Sequence, residues 1–359
     1  MNKKIIICTG GSGGHVIPAI NFGNYLFEKG YDCFLIVDQR GKRYSKQFKG
    51  KIYIINSSHL SGNIFFKLKS LIKLLIGFFQ SLIIIYKIKP NKCISFGSYA
   101  AFMPLLSTLF LKLLIKTDIY IHEQNSIIGK VNLFFLPHAE ILFTNFICLK
   151  NIKKKYKKNT LHVGLPSKSN LSLNFTKIKN LKKTKTIFIY GGSQGSIQLI
   201  NNFLLICKNL DKNYFDKIKI IIQSPKELHD KLCHFFNNLK VDFEIKEFYR
   251  NIEEILSITD LAITRAGAGT INDLIKYKIP SIIIPLPHAI YNHQFYNAKY
   301  LFDIKGSILM DEKNFNIDIN TEIFKKLISD NKQQEIMKNA LNTIILPDAN
   351  KIMLTKIAL

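Results

Sequence analysis

Two short polar clusters stand where an α/β chain can do chemistry. The first is Thr9-Gly10-Gly11-Ser12-Gly13-Gly14-His15, directly after the β-branched run Lys4 to Cys8. Glycines at the carboxyl end of a first strand let backbone N–H groups and a helix N-terminus face a phosphate or a sugar. A histidine right behind them can take a proton from a substrate hydroxyl near neutral pH; the bland alternative for His15 is a loop histidine with no reaction to serve. The second cluster, His122-Glu123-Gln124-Asn125, follows the strand Ile119 to Ile121 and so occupies the same sheet edge. Packing does not account for four consecutive polar residues there, and Glu123 is the reserve candidate for the base.

The second half of the chain repeats the arrangement. Thr186 to Tyr190 runs into Gly191-Gly192-Ser193-Gln194-Gly195-Ser196, and Asp260 to Thr264 runs into Arg265-Ala266-Gly267-Ala268-Gly269-Thr270, after which Ile271-Asn272-Asp273 opens a helix. Small residues let the backbone close on a diphosphate, Thr270 can donate to it, and Asp273 can accept from ribose hydroxyls. His288, His293 and Gln294 follow the next strand, so an anion cradle lies beside imidazole and amide groups, which suits a sugar nucleotide.

Other chemistries are excluded by spacing. The dinucleotide fingerprint fails because Val16 stands where the third glycine belongs, although Asp38 occupies the place of a ribose-binding acid. Glu123 lacks H-E-x-x-H spacing, and no two aspartates stand two apart, so no metal site and no cofactor are expected. Six cysteines without a C-x-x-C pair read as reduced thiols, and the apolar run Ile5 to Cys8 is too short for a signal-peptide core.

The elements that must position these clusters are strands at Lys4 to Cys8, Cys33 to Val37, Ile52 to Ile55, Lys92 to Ser95, Ile119 to His122, Thr186 to Tyr190, Lys219 to Ile222, Asp260 to Thr264 and Ser281 to Ile284, with helices between them. Two strand, glycine-loop, helix openings half a chain apart predict an α/β chain of two Rossmann-like, doubly wound parallel-sheet domains. The expected divisions are 1–163, 164–340 and a C-terminal helix, 341–359, packing back on the first domain. Lys150 to Lys185, with 12 lysines and no acidic residue, marks the interdomain region.

The formal net charge of +26 suggests an anionic partner. Yet only four of the 51 basic residues are arginine, the side chain that nucleic-acid readers use for bidentate contacts, so nucleic acid is not expected. Cys93 to Leu111 carries no charge but contains Gly97 and Pro104 and fits a strand, a loop and a helix start. Ile64 to Lys89 reads as a helix with Lys69, Ser70, Lys73, Gly77, Gln80, Ser81 and Lys87 on about a third of its circumference. Its wide apolar arc fits a helix buried against a sheet. It also fits a helix whose tip, Ile64, Phe65 and Phe66 rimmed by Lys67 and Lys69, dips into an anionic bilayer surface.

Five motifs in order, GGSGGH at Gly10 to His15, HEQN at His122 to Asn125, GGSQG at Gly191 to Gly195, RAGAGT at Arg265 to Thr270 and HQxxNA at His293 to Ala298, give a close resemblance to the peptidoglycan N-acetylglucosaminyltransferases over nearly the whole chain. The resemblance implies a B-type glycosyltransferase fold, a lipid acceptor (lipid I) at the first domain, UDP-N-acetylglucosamine at the second, and a peripheral position on the cytoplasmic face of the inner membrane beside other cell-wall synthesis proteins. By motif position it implies that Ser12, Gly13 and Gly14 face the donor, that Asn125 and Gln294 contact its sugar, and that Ser193 contacts its phosphates. It further implies that Tyr249 reads uracil through its backbone and that Ala268, Gly269, Thr270, Ile271, Asn272 and Asp273 hold diphosphate and ribose. Three positions depart from the family pattern: Ser12 replaces Thr, Asp273 replaces Glu, and Lys168 stands where an Arg is usual, which predicts weaker donor binding. The implied reaction is a single inverting displacement without a metal, with Lys168 and the anion cradle stabilising departing UDP. Rival readings are a transferase glucosylating diacylglycerol and a basic scaffold for nucleic acid through Lys150 to Lys185.

Overall fold

The computed structural model describes residues 3–58, 63–168, 184–191, 196–249 and 251–358. It divides into two units, Met1–Leu171 with Pro347–Leu359, and Ser172–Leu346. The divisions therefore fall at 171/172 and 346/347, where the motif spacing placed them at 163/164 and 340/341.

In the first unit the strands are β1 (Lys4–Cys8), β2 (Asp32–Asp38), β3 (Lys51–Ile55), β4 (Lys92–Ser95), β5 (Asp118–Glu123), β6 (Ile141–Thr144) and β7 (Thr160–His162). They form one sheet in the order β3-β2-β1-β4-β5-β6-β7, with every pairing parallel. Strand β1 shows why these sequences make such a sheet. Ile5 and Ile7 enter one core with Val16, Phe22, Met353 and Ile357, while Ile6 and Cys8 enter the core on the opposite face with Ile85, Leu105 and Phe135. Successive side chains point to opposite faces, so a strand covered by helices on both sides must be apolar throughout. The C-terminal helix Ala349–Ala358 supplies part of the first of these cores.

The second unit holds β8 (Lys185–Tyr190), β9 (Ile218–Gln223), β10 (Asp242–Lys246), β11 (Leu261–Thr264), β12 (Ser281–Ile283) and β13 (Ser307–Leu309), ordered β10-β9-β8-β11-β12-β13 and again parallel. In each sheet the strand order reverses beside the first strand, at β1/β4 and at β8/β11. Ligands of doubly wound sheets bind outside the carboxyl ends of strands at such a switch point. Within the described residues, GGSGGH, HEQN and RAGAGT lie at the ends of β1, β5 and β11 and on the loops or first helical turns that follow, while HQxxNA opens helix His293–Asp303.

Helix Ile64–Ile88 departs from the expectation of an apolar arc turned inward. Its buried residues are Ser70, Leu74, Gly77, Ser81, Ile85 and Ile88. Ile64, Phe65, Phe66, Leu68, Leu71, Ile72, Leu75, Ile76, Phe79, Ile83 and Tyr86 are exposed, Phe65 by 78%. The cause lies at Gly77, where a Cβ would stand 2.0 Å from the Asn56 carbonyl oxygen. Small residues at 70, 77 and 81 let the helix approach the end of β3 closely, and Ser81 returns its hydroxyl to the Gly77 carbonyl at 2.7 Å. The wide apolar arc is left outside. Phe110, exposed by 68%, extends that surface by an edge contact with Phe78 at 6.0 Å.

Candidate active site

The glycine loop after β1 is held from below by Asp38, whose carboxylate accepts the N–H groups of Gly11 at 2.8 Å and Gly41 at 2.9 Å and pairs with Arg40 at 3.0 Å. Asp38 is buried, so it organises the loop and is not a free ribose-binding acid. Gly11 needs its glycine, with φ of 75°. Ser12 caps helix Gly13–Glu28, and its carbonyl already receives the N–H groups of His15 and Val16. Those of Gly13 and Gly14 remain at the open end of the helix, where its dipole favours an anion.

His15, half-buried on the first turn, directs Nδ1 at two acceptors, the Phe96 carbonyl at 2.9 Å and Gln124 Oε1 at 2.8 Å. A carbonyl oxygen can only accept, so Nδ1 carries a proton, and in the neutral ring Nε2 is the nitrogen that keeps its lone pair. That is the state a general base requires. Behind it, His122 is fully buried, stacks on Phe96 at 5.0 Å, and donates Nε2–H to the Gly164 carbonyl at 2.9 Å. Burial holds the His122 imidazole down at about 4, so it stays neutral.

Glu123, the reserve candidate for the base, organises its loop. One carboxylate oxygen accepts the Asn125 N–H at 3.0 Å, the other accepts the Gly129 N–H at 2.9 Å and Asn132 Nδ2 at 2.8 Å, and the residue is 1% exposed. Its carboxylate is engaged on both oxygens and buried, whereas His15 is half-buried. Asn125 is half-buried on the loop that Glu123 shapes. On the loop after β4, Ser98 adopts φ 73° and ψ 153°, a region almost reserved for glycine, and its hydroxyl lies 3.1 Å from where a Cβ on Gly11 would stand.

In the second unit, helix Ala268–Tyr277 starts without a side-chain cap, and Ile271 N–H closes its first turn on the Gly267 carbonyl at 3.0 Å. The N–H groups of Ala268, Gly269 and Thr270 therefore point off the helix end, and a Cβ on Gly269 would meet nothing within 4 Å. The arrangement can receive a diphosphate. The Ile271 side chain is fully buried in the helix's core face, and its N–H is the one that closes the first turn. Asn272 turns Nδ2 back to the Ala268 carbonyl at 3.0 Å. Asp273 is half-buried, and burial first, with Glu253 adding to it against the pull of Lys276, pushes its carboxyl up to about 7.

The HQxxNA motif has a mechanical job. Gln294 Oε1 accepts the N–H groups of Ala266 at 3.2 Å and Leu286 at 3.0 Å, while Asn297 Nδ2 donates to the Ala266 carbonyl at 3.0 Å. Ala266 is thus pinned from both sides, and only the Gln294 amide NH2 is left to meet a sugar. Arg265 was not among the expected site residues, yet it joins four loops. It donates to Ser196 Oγ at 2.7 Å, to the Ile284 carbonyl at 3.0 Å and to Glu312 at 2.7 Å, all while buried. Its signal in the sequence was rarity: an arginine in a chain that otherwise uses lysine.

Tyr249 buries its ring edge-on to Phe188 at 5.7 Å, and burial raises its phenol, so only its main chain is available to a ligand. Lys168 is exposed at the end of a segment tied to the first unit by Asn350 Nδ2 on the Ser167 carbonyl at 2.7 Å. Ser193 lies outside the described residues. Ile64, Phe65, Phe66, Lys67 and Lys69 are all exposed at the start of their helix. Among the described residues, no three His, Cys, Asp or Glu side chains gather as a metal site.

Known protein families match both halves of the chain. The model of the glycosyltransferase family 28 N-terminal domain matches residues 5–144, and that of the family's C-terminal domain matches residues 186–352. A protein of Rickettsia canadensis (strain McKiel), named UDP-N-acetylglucosamine--N-acetylmuramyl-(pentapeptide) pyrophosphoryl-undecaprenol N-acetylglucosamine transferase, is 35% identical over 348 residues, 96% of this chain and 95% of its own. Its namesake from Rickettsia typhi (strain ATCC VR-144 / Wilmington) is 33% identical over 376 residues, covering 95% of each chain. In fold, the chain is similar to the crystal structure of Acinetobacter baumannii MurG, with a TM-score of 0.79 at 21% identity over 99% of both chains. Two parallel α/β units, each with a glycine-rich switch point, and a match that runs nearly end to end lead to one assignment: the chain belongs to glycosyltransferase family 28.

Proposed function

We propose that this enzyme transfers N-acetylglucosamine from UDP-N-acetylglucosamine to the C4 hydroxyl of the muramyl sugar of lipid I, inverting the donor anomeric carbon from α to β. The observation that carries the reading is the shared name of relatives at 33–35% identity over about 95% of the chain, and the chemistry of His15 supports it. The acceptor oxygen attacks C1 as the bond from C1 to the β-phosphate oxygen breaks. His15 Nε2 takes the hydroxyl proton, and its Nδ1–H stays with Phe96 and Gln124 while the ring carries positive charge. The charge that develops on UDP is met by the N–H groups of Ala268 to Thr270, with Ser193 and Lys168 as further donors. Ser12, Gly13, Gly14, Asn125 and the Gln294 NH2 group orient the donor sugar, Tyr249 reads uracil, and Asp273 takes the ribose.

The enzyme works as a peripheral protein of the cytoplasmic membrane face. The exposed apolar side of helix Ile64–Ile88, flanked by exposed Lys67, Lys69 and Lys73, supports docking on an anionic lipid surface. UDP release from UDP-N-acetylglucosamine and a lipid I analogue tests the reaction. A general base is worth roughly a hundred- to ten-thousand-fold in rate, so His15→Ala is expected to retain under about a tenth of wild-type kcat. Retention above that level removes His15 from the role. Turnover with diacylglycerol and none with the lipid I analogue would replace the acceptor.

A further inference from the structure

The hydrogen bonds behind His15 form a chain whose direction is fixed at every link. His122 donates Nε2–H to the Gly164 carbonyl at 2.9 Å, which leaves His122 Nδ1 as an acceptor. Gln124 Nε2 faces that nitrogen at 3.2 Å and the His122 carbonyl at 3.1 Å. Both partners can only accept, so the amide cannot turn over without setting its oxygen against a lone pair and a carbonyl. Its oxygen therefore points away, at His15 Nδ1, 2.8 Å distant. Gln124 is 1% exposed and His122 is fully buried, so the amide and the imidazole behind it are shielded from bulk water.

We propose that Gln124, oriented by His122, is a positioning residue for the reaction. It shares the Nδ1–H of His15 with the Phe96 carbonyl, keeps Nε2 unprotonated, and adds a second acceptor for the imidazolium that forms when the base takes its proton. The inference rests on the reading of His15 as base. Hydrogen bonding to the charged form favours that form, so loss of the Gln124 oxygen makes His15 harder to protonate. The ionisable groups on neighbouring elements are His122 and Glu123 on β5 and the Asp38–Arg40 pair under Gly11. Neutral His122 contributes no charge, Glu123 is spent on the Asn125–Asn132 loop, and Asp38 is paired. The amide thus does here, without charge, what a carboxylate would do at the back of a catalytic histidine.

The test combines ¹⁵N NMR of histidine-labelled protein, with His15 assigned by its loss in His15→Ala, and pH profiles of kcat/KM with a lipid I analogue. Wild type is expected to show a protonated Nδ1 and an unprotonated Nε2 in the neutral ring; the opposite tautomer overturns the proposal without any variant. In Gln124→Leu the His15 titration and the acidic limb of kcat/KM are both expected to move down by about one pH unit. Plateau kcat is expected to fall about tenfold or more, with donor KM held within about twofold. Gln124→Met serves if the leucine variant does not fold. A slower variant with an unmoved His15 titration assigns Gln124 a merely structural role and refutes the proposal. A moved titration with an unmoved kinetic limb leaves the positioning intact and refutes His15 as base.

Discussion

If the outward face of helix Ile64–Ile88 meets lipid, then Phe65→Ser combined with Phe66→Ser must weaken membrane binding by an amount the structure sets. Phe65 is 78% and Phe66 63% exposed, so most of each side chain is still free to leave water. Full burial of a phenylalanine contributes about 1.5–3 kcal/mol. With roughly 0.7 of that available, the pair contributes about 2–4 kcal/mol, or about 30- to 1000-fold in the partition coefficient. Neither side chain packs in the core, so folding and turnover of a soluble acceptor analogue should hold. The assay is sedimentation with vesicles of phosphatidylglycerol and phosphatidylethanolamine at low and high salt. Leu75→Ser with Phe79→Ser separates two geometries: a helix lying along the surface loses comparable affinity, a helix dipping only its tip loses none. Equal vesicle binding by wild type and the Phe65/Phe66 variant would refute the docking surface.

Three further outcomes follow from the sites. Asp273 has its carboxyl raised to about 7 from an ordinary value of 3.8, so it gives up stability as pH rises between those values. Asp273→Asn should therefore be neutral near pH 4 and stabilising by about 1–2 kcal/mol at pH 8 in chemical denaturation, while UDP affinity measured by calorimetry falls. Wild-type affinity should improve as pH rises through about 7, because the ionised carboxylate accepts from ribose hydroxyls, and this dependence should vanish in the variant. Ser98→Gly relieves the backbone at φ 73° and should raise the unfolding free energy by about 1–2 kcal/mol; an unchanged or lower value means the loop does not hold strain. Arg265→Lys keeps the charge but cannot reach Ser196, Ile284 and Glu312 together, and should cost about 2–4 kcal/mol with a raised donor KM.

The fold was legible where strands run through the middle of a sheet. Strands such as β1 and β8 are apolar on both faces and stand out against any background. The missed strands are short, and most lie toward a sheet edge: β10 reads DFEIK, β7 has three half-buried residues and β13 only three residues in all. These three strands bury too little to leave a continuous apolar run, unlike the edge strand β3, whose Ile52 to Ile55 is apolar throughout. At the sites, the motifs marked the right loops but not the division of labour within them. Nothing in the letters HEQN says that Glu123 faces Gly129 and Asn132 while Gln124 faces His15, because that choice is made by the loop's turn at Gly129 and by the stacking of His122 on Phe96. Helix Ile64–Ile88 carried two readings for a related reason: its apolar arc was plain, but which side faced inward depended on one carbonyl, that of Asn56, reaching Gly77.

That helix also sets unequal rules for how its sequence can change over time. Its inner side is a steric fit in which Gly77 admits no Cβ and Ser81 must remain small. Its outer side asks only for bulk apolar character, so leucine, isoleucine, valine and phenylalanine are interchangeable there at little cost. A lineage whose codon usage pushes its proteins toward isoleucine, phenylalanine and lysine can absorb that push on this face. Apolar substitutions thicken the oily side and lysines collect at its rim. The same drift on the inner stripe would pry the helix off β3. Variation among relatives should therefore be broad in identity but narrow in polarity on the outside, and nearly frozen in size at 77 and 81.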